Sequence, residues 1–155
     1  FGFDAVTLNP YMGEDSINPF LVHDDKGVFI LCRTSNSSAH IFQNQKLNGG
    51  LFLYEKVAEW ANSLNHKNNI GLVVGATVPQ ELSRVRDLAP DLPILIPGVG
   101  AQGGDLEKSV IKGNKSGIGI INVSRDISFS GDFTVESIRS SAQSYVKKIN
   151  EALNG

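Results

Sequence analysis

The sequence predicts an α/β fold built on a parallel sheet, and three observations predict it. Five short apolar runs rich in β-branched residues recur along the chain: "DAVTL" (4–8), "GVFILC" (27–32), "IGLVV" (70–74), "PILI" (93–96) and "GIGII" (117–121). Each is almost wholly apolar rather than alternating, the pattern of parallel strands covered on both faces. Segments with helical spacing lie between them, and turn-forming or polar residues follow each run directly. A β-α alternation repeated five times makes either an open doubly wound sheet or part of an eight-stranded barrel, and five units are too few to close a barrel.

Taken in order, the clearest helix spans 51–64, where Leu51, Tyr54, Val57, Ala58, Ala61 and Leu64 share one face. That face and Trp60 read as packing. The segment 78–89 places Pro79 in a first helical turn, where its missing N–H costs nothing. The segment 104–113 opens on Asp105, with a helix start at Gly104 or Asp105, and ends in Lys-Gly. The last helix, 133–153, begins beside Asp132 and ends with lysines and a glycine. Two polar stretches interrupt the pattern, 33–50 and 65–69. The first is long enough for a functional loop, with a plain surface loop as the alternative.

A chain of 155 residues is about one domain, and 41% hydrophobic content is enough for a core. A net charge of −2 gives no basic excess, so neither nucleic acid nor an anionic membrane surface is an expected partner. No apolar run reaches the roughly 18 residues of a membrane helix, and the default compartment is the cytosol. Cys32 has no second cysteine to pair with and sits in an apolar run, as a small buried hydrophobe does. His23, His40 and His66 stand singly in polar surroundings, without zinc-site spacing. Met12 is expected to fill a gap near its loop. The sequons at Asn36, Asn114 and Asn122 read as chance. The chain opens on "FGFDAVTLNPY", already a strand, which reads as a cut edge.

The chemistry concentrates after the strands, in "NPYMG" from Asn9, "RTSN" from Arg33, "GAT" from Gly75, "PGVGAQGGD" from Pro97 and "NVSRDI" from Asn122. Strand carboxyl ends are where parallel α/β folds bind ligands, so these loops are expected to face one pocket. The glycines of 97–105 let backbone N–H groups approach an anion, and a helix beginning there adds partial positive charge. Gln102 adds a side-chain donor, and Arg125, next to Ser124, brings a forked cation suited to phosphate. The competing use of Arg125 is an ion pair with Asp126. Gly98, Gly100 and Gly103 also satisfy the G-x-G-x-x-G dinucleotide fingerprint. That fingerprint normally follows a first strand and needs an acidic residue after the next one, where this chain has Asn122 and Val123.

In this order, "DAVTLNPYMGEDS", "RTSN", "GLVVGATVPQEL", "PGVGAQGGD" and "NVSRDI" resemble orotidine 5′-phosphate decarboxylases, in the branch that departs from the commoner bacterial motif set. The resemblance covers nearly the whole chain. It implies a TIM (β/α)8 barrel, of which 1–155 would be the C-terminal part carrying strands four to eight. It also implies a homodimer, and conversion of orotidine 5′-monophosphate to UMP and carbon dioxide without cofactor or metal, as the last step of pyrimidine nucleotide synthesis. Position by position, Thr34 and Ser35 would contact the pyrimidine, Pro97 would border base and phosphate, and Gln102, Ser124 and Arg125 would bind the phosphate. Gly98 and Gly100 would serve that phosphate loop. Asn9 lies at the pocket end of its strand without an assigned role.

The family's Asp-x-Lys-x-x-Asp catalytic pattern is absent, since "HDDKGVF" puts Phe29 where the second aspartate belongs. The resemblance therefore implies that the Lys/Asp tetrad lies upstream of Phe1 and that the N-terminal half of the barrel is a missing partner. No catalytic residue is expected in this chain, and it is not expected to be active alone. With two open sheet edges it is also expected to be poorly soluble by itself. Two rival readings stand beside this one: a phosphate-binding fragment without catalysis, and another phosphate-binding barrel enzyme with its catalytic groups on other strands.

Overall fold

The computed structural model describes residues 2–100 and 102–155, so Phe1 and, within the "PGVGAQGGD" loop, Ala101 lie outside the described residues. Five strands form one parallel sheet: β1 (Ala5–Leu8), β2 (Gly27–Arg33), β3 (Ile70–Val74), β4 (Ile94–Ile96) and β5 (Gly119–Ile121). Their spatial order is their chain order. A parallel crossover is right-handed, and every crossover here advances in the same direction, so the helices gather on one face. A doubly wound sheet would reverse direction at a switch point. Of the two architectures the alternation allows, the winding is that of a barrel.

In-register parallel partners share a face, and the two faces differ. Val28, Ile30, Ile70, Leu72 and Ile94 are buried against the helices. The opposite face carries Phe29, Leu31 and Leu95, all half-buried, and Ile120, 40% exposed. Phe29 lies over Gly71, where a Cβ would meet its ring at 2.6 Å. Continuous burial on both sides holds only for β3, at the centre of the sheet. Among the described residues, β1 and β5 each have one unpaired edge.

The helices are α1 (Glu14–Leu21), α2 (His40–Gln43), α3 (Leu53–Leu64), α4 (Pro79–Leu88), α5 (Leu106–Gly113), α6 (Arg125–Ser128) and α7 (Val135–Asn154). In α3 the expected stripe is buried at Tyr54, Ala58 and Ala61. Leu51 falls before the helix, whose start is set by Glu55 accepting from the Phe52 N–H at 2.8 Å. Pro79 opens α4 as expected. Helix α5 begins at Leu106, one to two residues later than expected, because the Asp105 side chain caps it. Helix α1 was not legible in the sequence: it is eight residues long, contains Pro19 and buries only Ile17.

Beneath the sheet's amino end, Arg86 on α4 is fully buried and donates to the carbonyls of Gly113, Leu92, Ala89, Pro90 and Ile118 at 2.7–3.2 Å. This one guanidinium ties α4 to the turns entering β4 and β5. Cys32 is buried, its thiol donates to the Tyr54 carbonyl at 3.2 Å, and burial pushes its pKa up to about 12. The three histidines are exposed. Among the described residues no helix is long and apolar enough to cross a membrane.

Candidate functional site

The strands deliver their trailing loops to one end of the sheet, and the backbone locks these loops edge to edge. Gly75 N–H donates to the Arg33 carbonyl at 2.7 Å, Ala76 N–H to Pro97 at 2.8 Å, and Asn122 N–H to Ile96 at 3.0 Å. Side chains then cross the junctions. Ser35 Oγ donates to Gln102 Oε1 at 2.6 Å, joining loops 67 residues apart in sequence. Both loops depend on missing side chains for this approach. A Cβ on Gly75 would stand 2.7–2.8 Å from Ser35, backbone atoms included, and one on Gly98 would stand 2.9 Å from Gln102 Oε1. Gly98 also holds φ at +97°, a conformation other residues rarely adopt.

Thr34, beside Ser35, is fixed by a residue that sequence reasoning missed. Gln43 on α2 accepts from the Thr34 N–H at 2.9 Å and donates to its hydroxyl at 2.9 Å. Arg33 donates to the Thr34 carbonyl at 2.8 Å and faces Glu81 at 3.6 Å. The 33–50 stretch is thus an ordered loop folded around its own glutamine. It holds a short 3-10 turn at 37–39, helix α2 and a bridge from Lys46 to Phe52. A glutamine in a polar run gives no sequence signal for such a latch.

The fifth loop adjoins the fourth at Gly100, with φ +77°. A side chain there would collide with the Asp126 carboxylate and with the Tyr145 hydroxyl. Tyr145 donates to Asp126 Oδ2 at 2.8 Å, so the expected alternative for Arg125, pairing with Asp126, is not what this carboxylate does. Among the described residues Arg125 is exposed and makes no ion pair, while Ser124 donates to Asn122 at 2.9 Å.

One expectation is corrected here, and one is given a local detail. At the start of α5 the Asp105 carboxylate accepts from the Lys108 N–H at 3.0 Å and pairs with Lys108 Nζ at 2.7 Å. These bonds hold its pKa below the usual carboxylate range. Met12 fills no gap; it is 74% exposed, because "PYM" forms a 3-10 turn directed away from the core. Asn9 caps that turn, accepting from the Tyr11 N–H at 3.0 Å. It lines an apolar groove of about 740 Å³ with Phe42, Leu53 and Trp60, apart from the Ser35–Gln102 junction. The "HDDK" lysine, Lys26, precedes β2 and so lies at the sheet's other end, paired with Asp4 at 3.2 Å.

The loops, in this order around a singly wound sheet, match a known pattern. A family model described as orotidine 5′-phosphate decarboxylase / HUMPS family covers residues 1–139. The chain belongs to this family. It is 55% identical over 131 residues to the orotidine 5′-phosphate decarboxylase of Natronomonas pharaonis, covering 84% of this chain and 48% of that protein. Against the same-named protein of Variovorax paradoxus identity is 50% over 151 residues, 93% of this chain and 55% of that one. Two solved structures from Leishmania donovani are similar throughout. OMP decarboxylase has a TM-score of 0.84 at 38% identity, with 98% of this chain and 58% of that one covered. UMP synthase has a TM-score of 0.85 at 41% identity, with 96% and 33% covered. The chain spans about half the length of the curated relatives it matches. The α/β fold with a five-stranded parallel sheet is therefore that of orotidine 5′-phosphate decarboxylase structures.

Proposed function

We propose that this chain is the base- and phosphate-holding part of an enzyme that decarboxylates orotidine 5′-monophosphate to UMP and carbon dioxide, the last step of pyrimidine nucleotide synthesis. In this reading residues 1–155 supply strands four to eight of one barrel, and the protein works as a cytoplasmic homodimer without cofactor or metal. Thr34 and Ser35 read the pyrimidine edge, and Pro97 borders base and phosphate. The loop bearing Gly98, Gly100 and Gln102 meets the phosphate together with Ser124 and Arg125.

The observation that carries the reading is the Ser35–Gln102 bond. It sets a group assigned to the base against a group assigned to the phosphate, across the loop of the strand that lies between theirs. The unpaired guanidinium of Arg125, in the next loop round, suits a dianion. The Lys/Asp groups that act on the reacting carbon come from outside this sequence. Loss of carbon dioxide leaves an electron pair on the ring carbon, and the lysine stabilises that carbanion and then protonates it. Binding energy gained at the phosphate holds the ring in register with that lysine.

The test is release of carbon dioxide from carboxyl-labelled orotidine 5′-monophosphate by the full-length protein. Arg125→Ala is expected to lower kcat/KM by several kcal/mol of transition-state stabilisation, the order expected for a charged phosphate contact. Unchanged efficiency would remove Arg125 from the site.

A further inference from the structure

We infer that Tyr145, on the C-terminal helix, is a positioning residue for the phosphate grip; the inference rests on the phosphate reading of Arg125 above. Arg125 is followed directly by Asp126, and a carboxylate beside a guanidinium is its natural competitor for any anion. In the structure that carboxylate is engaged elsewhere: Tyr145 donates to Asp126 Oδ2 at 2.8 Å. A second contact comes from the same face of α7, four residues earlier, where Ser141 Oγ donates to the Asp126 carbonyl at 2.8 Å. One carboxylate oxygen and the backbone carbonyl of Asp126 are thus held by one helix.

The clamp reaches further than Asp126. At Gly100 an added Cβ would overlap the Asp126 carboxylate and stand 2.8 Å from the Tyr145 hydroxyl. The carboxylate and hydroxyl therefore form the wall against which Gly100 packs, in the loop that carries Gln102. Tyr145 thus performs two tasks through one hydroxyl. It withholds Asp126 from Arg125, leaving the guanidinium for the ligand, and it sets the spacing between the two loops. Through Asp126 and Gly100, helix α7 fixes the geometry of both phosphate-facing loops.

The decisive comparison is between two substrates on one preparation of the full-length protein: orotidine 5′-monophosphate and orotidine, the nucleoside lacking phosphate. Tyr145→Phe removes only the hydroxyl. It is expected to lower the ratio of kcat/KM for nucleotide over nucleoside about ten- to a hundredfold, the range for a hydrogen bond to a charged group, chiefly through KM. In an Arg125→Ala background it is expected to lower the ratio no further, since the two residues act as a unit. The ratio is independent of the folded fraction, so simple destabilisation does not move it. An equal loss on both substrates, an unchanged ratio, or an additive loss in the Arg125→Ala background would overturn the inference. If Arg125→Ala itself leaves the ratio unchanged, the phosphate reading fails, and that result is distinct from failure of the clamp alone.

Discussion

Replacing Arg86 with methionine tests how the fold is held beneath the site. The side chain is fully buried and meets no carboxylate within ion-pair distance among the described residues; its partners are carbonyls. Two of these have other recourse. Ile118 also accepts from the Ile94 N–H, and Pro90 also accepts from the Ser116 hydroxyl. The carbonyls of Gly113, Leu92 and Ala89 accept from Arg86 in buried surroundings, at 2.7 to 3.2 Å. Orphaning three buried acceptors at about 1–2 kcal/mol each costs roughly 3–6 kcal/mol. Methionine avoids the desolvation that the buried cation suffers, which returns part of the loss, so the net expectation is about 3 kcal/mol. For a domain of this size that is a fall in Tm of roughly 6–12 °C. Urea unfolding of the full-length protein, followed by circular dichroism, measures it. Arg86→Lys should fall between, because one ammonium with three donors cannot serve all five carbonyls. A methionine variant as stable as the parent would refute the reasoning: it would mean that desolvation cancels the whole hydrogen-bond set.

Other expectations follow from single contacts. Gly75→Ala drives a Cβ into the Ser35 backbone and should break the Ser35–Gln102 junction, costing on the order of a hundredfold in kcat/KM for the nucleotide; steady-state kinetics decides, and normal kinetics would mean that the junction is not needed. Cys32 should resist alkylation at pH 8 in the native protein and react fully in guanidinium, since burial pushes its thiol up to about 12. Burial raises the pKa of Glu55, but the hydrogen bonds from Arg84 and from the Phe52 N–H outweigh it and leave the group below its ordinary 4.5. A depressed carboxylate contributes stability above its unfolded pKa and loses it as pH falls through the folded one. Glu55→Gln should therefore cost about 1 kcal/mol at pH 7, a small figure because Arg84 is partly exposed, and the gap to the parent should close below pH 4.5.

The strands were legible because burial on a sheet leaves a composition signature. All five runs appear as strands, with ends shifted by at most two residues, and β3 is apolar throughout because it is covered throughout. The long helices were legible for the same reason: a stripe such as Tyr54, Ala58 and Ala61 repeats at the helical period. Helix α1 carries no such stripe, has no side-chain cap and buries one isoleucine. The offset at α5 has a local cause. In the sequence Asp105 reads as the opening of a helix, but an aspartate that caps must stand outside the helical conformation to reach the Lys108 N–H.

At the site, the residues that face outward from strand ends were visible in the sequence, whereas the residues that hold them were not. Ser35 and Gln102 lie in motifs, and their loops follow strands, so topology alone brings both to one end of the sheet. Gln43 and Tyr145 have ordinary surroundings: one sits in a polar run, the other in a serine-rich helix. Their importance lies in a pairing, and pairing depends on distances that a one-dimensional pattern does not carry. The glycines gave the only indirect signal. Gly75, Gly98 and Gly100 are bare because Ser35, Gln102 and the Asp126–Tyr145 pair occupy the space a side chain would take. In the sequence, a glycine after a strand reads as room for a ligand. In this fold it is first of all room for a neighbouring loop, and the ligand's share is what remains between them.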